Sequence, residues 1–178
     1  MLAAVVVSAI AAIVDYRTGQ IPNWLTLGGI VVGVVGHLVQ GWVIGGVRAG
    51  LIEAAFSVGG LLFCSLAPAV LYVKGGMGGG DLKLYAAIGA LCQLMLGIEA
   101  QMYSMIIAAI VAPARLAYEG KLLRVLGRSF TLLLNPLRPA AKRREVPAEA
   151  LTWFRLGPAI FGGTLVTLVI HGYALLPR

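Results

Sequence analysis

Residues 24–42 read WLTLGGIVVGVVGHLVQGW, a run without a single charged side chain. A helix that crosses a bilayer needs about 20 predominantly apolar residues, and this run is of that length. Working outward from it, charged residues and Gly/Pro clusters mark off further apolar runs at Met1–Val14, Leu51–Val73, Leu84–Ile98, Met102–Ala117 and Leu156–Leu176. The first, fourth and fifth of these runs are short for a span, so their ends must borrow flanking residues. The pattern predicts an all-α, polytopic membrane protein of about six transmembrane helices. The whole chain, 1–178, reads as a single membrane-embedded domain. Composition agrees: 60% of residues are hydrophobic and 12% charged, with a mean hydropathy of +0.92. Soluble domains carry about a quarter charged residues, and no room remains here for a sizeable water-soluble domain.

The formal charge of +7 would suggest nucleic acid in a soluble protein. Its distribution speaks for topology instead. With the N-terminus outside, the inner loops fall at 15–23, 74–83 and 118–155. These loops and their borders hold Arg17, Lys74, Lys83, Arg115, Lys121, Arg124, Arg128, Arg138, Lys142, Arg143, Arg144 and Arg155, leaving only Arg48 and Arg178 outside. Lys and Arg are retained on the cytoplasmic side, so the direction is well determined and no nucleic-acid partner is expected. Within the last inner loop, Gly120–Arg144 has Lys121, Arg124 and Arg128 at helical spacing with leucines elsewhere on the turn. An interfacial amphipathic helix among anionic headgroups is expected there, followed by a solvated loop after Asn135. Met1–Val14 could be a signal-peptide core, but no positive residue precedes it; a retained first helix is the preferred reading. Cys64 and Cys92 lie inside apolar runs and form no CxxC pair, which points to small buried thiols and no metal site.

Of the seven acidic residues, only Asp15 and Asp81 are aspartates. Asp15 ends the first apolar run and Asp81 opens the fourth, so both fall at the same, inner boundary. Ionisable groups at that depth are costly and point to function, although Asp81 could serve as a plain helix N-cap. Two adjacent carboxylates cannot both ionise cheaply and share one proton. The ionised member can then take a proton from water while the protonated one polarises a peptide carbonyl. The run Gly75-Gly76-Met77-Gly78-Gly79-Gly80 before Asp81 leaves space for an extended peptide beside the carboxylates, and Gly78, Gly79 and Gly80 are candidate substrate-binding positions. A flexible linker would use the same glycines. A phosphate cradle would need a GK[ST] sequence and a preceding strand, and neither is present.

Gly78-Gly79-Gly80-Asp81 matches the GxGD signature of intramembrane aspartic proteases. The longer string from Gly78 to Gly89, GGGDLKLYAAIG, closely resembles the type IV prepilin leader peptidases. Asp15-Tyr16-Arg17-Thr18-Gly19-Gln20-Ile21-Pro22-Asn23 is similar to that family's first-aspartate motif, and Gly157–Gly163 to the opening of its last helix. The resemblance implies an endopeptidase of the bacterial inner membrane. It would remove the short basic leader of prepilin or pseudopilin proteins at the cytoplasmic boundary, with Asp15 and Asp81 as catalytic pair and without a cofactor. Lys83 matches the family pattern, yet two residues along a helix are about 200° apart, so it is expected to point away from Asp81 and snorkel to the headgroups. The longer members carry a cysteine-bearing cytoplasmic insertion near the N-terminus, linked to metal binding and to methylation. Here only Tyr16–Asn23 separate Asp15 from Trp24, with no cysteine, and the chain resembles the short forms found with tight-adherence pili.

Three other readings stay open. A presenilin-like or signal-peptide-peptidase-like protease would hold its first aspartate within a helix and show a late P-A-L motif, whereas Asp15 is expected at a loop. A transporter subunit would show repeats and polar groups near mid-membrane, where this chain reads as almost entirely apolar. An assembly subunit that has lost activity could retain both aspartates.

Overall fold

The computed structural model describes residues 1–118, 120 and 155–174. Among these there are four helices and no strand: α1 (Leu2–Thr18), α2 (Asn23–Val73), α3 (Gly79–Tyr118) and α4 (Gly157–Ala174). Met1–Ala108 together with Arg155–Arg178 form one compact unit, and Ala109–Phe154 a second. The second unit is described only at its start, where α3 runs on to Tyr118, and at Gly120, which has φ 68°. The amphipathic segment expected within Gly120–Arg144 lies outside the described residues.

The expected count of about six helices is not supported: the described residues form four. The boundary expected between the second and third apolar runs is a kink within α2, and α3 kinks at Gln93, inside the expected fourth run. In α2 the only non-helical backbone is at Gly45 and Gly46, the latter with φ 78°, a left-handed value that glycine adopts without penalty. The chain turns there without a polar loop. Gly50 lies against the backbone of Leu38 and Trp42, and in a straight helix Gly50 and Leu38 would be about 18 Å apart; α2 therefore folds back on itself. A straight helix of 51 residues would also run about 75 Å, far beyond the ~30 Å of bilayer hydrocarbon. In α3 the break is at Gln93, φ 61° and ψ −173°, and Gly97 returns to the backbone of Gly89. Arg48 and its neighbouring glycines mark the first bend in the sequence, whereas no charge marks the second, at Gln93.

By length and hydropathy α2 and α3 are both able to cross a membrane. Their surfaces agree. Large side chains such as Val31, Val35, Val43, Leu62, Phe63, Leu66 and Ile110 face outward, while Ala4, Ser8, Ala11, Ala12, Ser57 and Cys64 are buried. Small residues inside and bulky ones outside is the packing of helices in lipid, where close backbone approach replaces burial from water. Cys64 and Cys92 are free, buried thiols, as the sequence suggests. The centre of the unit is the first part of α3: Leu84 to Cys92 are all buried, a stretch apolar on every side and surrounded by the other helices. α1 packs along α4 and touches α2.

Candidate active site

Asp15 is buried (5% exposed). It lies within α1, not in the loop where it was expected, because the helix runs one further turn to Thr18. There Gly19, in the left-handed conformation (φ 72°), donates its N–H to the Asp15 carbonyl and ends the helix. Asp81 stands in the first turn of α3. Leu82 N–H bonds to the Gly78 carbonyl at 3.2 Å, so Gly78 is the capping residue and Asp81 the third helical position. Its carboxyl lies near enough to the Gly78 backbone N–H for that donor to favour the ionised form. Asp81 is therefore not the plain N-cap expected as the alternative; Gly78 holds that position.

The two carboxyl groups lie near enough to act on each other electrostatically. Two other features join the segments that carry them, and a third holds Asp15 from α4. Gly80 sits against Ile21, with a Cβ there only 3.2 Å from the Ile21 Cβ, so a larger residue would press the two segments apart. The Lys83 ammonium donates to Asn23 Oδ1 at 2.8 Å. Lys83 is therefore tied to the end of the Asp15 segment, where free snorkelling was expected. On the far side of Asp15, the Gly157 N–H at the start of α4 donates to Asp15 Oδ2 at 3.1 Å. A helix N-terminus presents unpaired N–H groups and partial positive charge to an anion. Pro158 removes the next donor, so the helix offers Asp15 chiefly this one.

The chain belongs to the type IV leader peptidase family. The family model matches residues 2–113, which include both aspartates and their motifs and stop short of Gly157. Neither a curated relative nor a solved structure matches the chain. In this chain the glycine run is mostly structured. Gly75 N–H bonds to Tyr72 O and Gly76 N–H to Leu71 O, with Gly75 at φ 73°; this is a Schellman ending for α2. Met77 is buried (3% exposed) in the core, and Gly79 and Gly80 are already helical. Gly78 is left as the hinge between the two.

Two partners of the site escape a reading of the sequence. Gly157 is visible there only as part of a motif, because nothing local says that its N–H meets a residue more than a hundred positions away. Arg155 counts there only as a topology charge. Its guanidinium donates to the Tyr16 carbonyl and lies 5.9 Å from the centroid of the Tyr16 ring, covering the end of α1 beside Asp15. Partly exposed polar side chains also pair between the helices. His171 Nε2 meets Glu99 Oε2 at 2.6 Å, and His37, Glu53 and Gln93 form a polar cluster. Each of these residues is isolated in the sequence and finds its partner only when the helices pack. Among the described residues no group of three or more His, Cys, Asp or Glu could hold a metal ion.

Proposed function

We propose that this protein is an aspartic endopeptidase of the bacterial inner membrane that removes the short basic leader from prepilin-like proteins at the cytoplasmic boundary. The observation that carries the reading is the meeting of Asp15 and Asp81, the only aspartates of the chain, from two separate family motifs. One carboxylate, ionised, takes a proton from a water molecule whose oxygen attacks the scissile carbonyl carbon. The other, protonated, donates to the carbonyl oxygen as the tetrahedral intermediate forms. Collapse breaks the C–N bond, and the departing amine takes up a proton. The Gly157 N–H orients Asp15, and Gly78–Gly80 flank the place where an extended peptide would lie. The substrate's basic leader stays in the cytoplasm and its apolar helix in the bilayer. The junction between them, unlike a hydrogen-bonded helix, can be extended at little cost.

Co-expression with a panel of prepilin-like proteins, scored for leader removal by gel shift, tests the proposal. Processing of at least one is expected. Failure to process any of them, with the enzyme folded and membrane-inserted, would contradict it.

A further inference from the structure

The Asp81 helix is short. From Gly79 to Cys92 it extends about 20 Å at 1.5 Å per residue, less than the ~30 Å of bilayer hydrocarbon. It ends at Gln93, a residue held at φ 61° without being glycine, a conformation that costs about 1 kcal/mol or more. The last carbonyls of such a helix have no partner in their own chain segment, and water is scarce at that depth. α2 supplies the partners from both of its halves. Ser57 Oγ donates to Ala90 O at 2.7 Å, and His37 Nε2 meets Leu91 O at 3.2 Å. The Gln93 amide nitrogen reaches His37 Nδ1 at 3.3 Å and donates to Glu53 Oε2. With the Gln93 amide nitrogen as donor, Nδ1 accepts and Nε2 is left to donate to the Leu91 carbonyl. Glycine at position 93 would relieve the backbone and lose both bonds, so the strained residue is explained by its side chain.

We propose that His37, Ser57, Glu53 and Gln93 are positioning residues for Asp81: a polar clamp at the far end of its helix that fixes where its carboxyl stands relative to Asp15. The stretch between is a rigid lever. Its backbone at Gly89 and Ala90 lies directly against Gly60 and Gly33 of α2, so it cannot bow. A cavity of about 240 Å³ adjoins His37, Glu53 and Gln93, so this end of the helix is not fully packed and its hydrogen bonds help to hold it in register. An axial slip of about 1 Å at Gln93 becomes a similar displacement at Asp81, enough to cost on the order of a hundredfold in rate.

The functional part of this inference rests on the peptidase reading above; the geometric part does not. Purified wild type, His37→Ala, Gln93→Ala and His37→Gln are compared in two measurements. With a leader-bearing substrate, kcat is expected to fall about 10- to 100-fold in the two alanine variants with KM within about twofold. In His37→Gln, which keeps an N–H for Leu91 O, kcat should return to within about threefold of wild type. In parallel, nitroxides introduced by Arg17→Cys and Leu82→Cys report the separation of the two aspartate segments by pulsed EPR, whether or not the protein cleaves anything. A broadened or displaced distance distribution in His37→Ala, restored in His37→Gln, is expected. An unchanged distribution in the folded alanine variants would overturn the clamp. So would an unchanged kcat accompanied only by lower thermal stability. A wild-type protein that cleaves no substrate would count against the peptidase reading alone, and the EPR result would still decide this one.

Discussion

Replacing Gly157 by alanine adds a single methyl group at the point where α4 meets α1. That Cβ would stand 2.8 Å from Asp15 Oδ2, 2.9 Å from Asp15 Cβ and 3.2 Å from Ala12 Cα. Ordinary carbon contacts lie at about 3.5–4.0 Å, so the start of α4 must retreat by roughly 0.7–1 Å. The Gly157 N–H to Asp15 bond, 3.1 Å at present, would then approach about 4 Å, beyond hydrogen-bond range. A hydrogen bond to a charged group is worth about 1.5–3 kcal/mol. Lost from the orientation of Asp15, it corresponds to roughly a 10- to 150-fold fall in the rate of the chemical step. Overpacking costs a further ~1–3 kcal/mol of stability. The assay is single-turnover leader cleavage in detergent at a temperature well below unfolding, with the melting temperature of both proteins measured alongside. A folded Gly157→Ala protein that cleaves within about twofold of wild type would refute the assignment of Gly157 to the positioning of Asp15.

Lys83→Met and Asn23→Ala should each slow cleavage severalfold, and the double mutant should be little worse than either, because one exposed bond worth about 1 kcal/mol or less links them; a double-mutant cycle of cleavage rates measures this. Gly75→Ala should lower stability by about 1 kcal/mol, since its φ of 73° suits glycine, whereas Gly76→Ala, whose Cβ meets only Leu71 O at an ordinary 3.5 Å, should melt close to wild type. Cysteines placed at Arg138 and at Arg48 should react with membrane-impermeant reagents from the cytoplasmic and the outer side respectively, and the reverse pattern would invert the proposed topology.

The candidate site was chosen from the sequence by its two carboxylates, because aspartates at the ends of apolar runs are rare and costly. Their partners were not, since each comes from a distant segment: Gly157 to Asp15, Asn23 to Lys83, Gly80 to Ile21. The all-helical, membrane-compatible class followed from hydropathy alone. Element count did not, because Gly45-Gly46 and Gln93 turn the chain within continuous helices, and no charge announces the bend at Gln93. The end of α1 was set one turn late by the left-handed Gly19, which moves Asp15 from a loop into a helix. The glycine run before Asp81 reads as a flexible linker by composition, yet hydrogen bonding assigns Gly75 and Gly76 to the end of one helix and Gly79 and Gly80 to the start of the next. The partly buried polar cluster was invisible for a similar reason: His37, Glu53 and Gln93 are each a lone polar residue within an apolar stretch.

The central claim is that Asp15 and Asp81 act together as the catalytic pair. Its most direct test is leader cleavage by purified Asp15→Asn and Asp81→Asn, each confirmed as folded and membrane-inserted. Because an amide can neither take a proton from water nor hold one for the carbonyl, each variant should cleave at least about a thousandfold more slowly than wild type, and the double mutant no more slowly than either. Near-wild-type processing by either single variant would contradict the account.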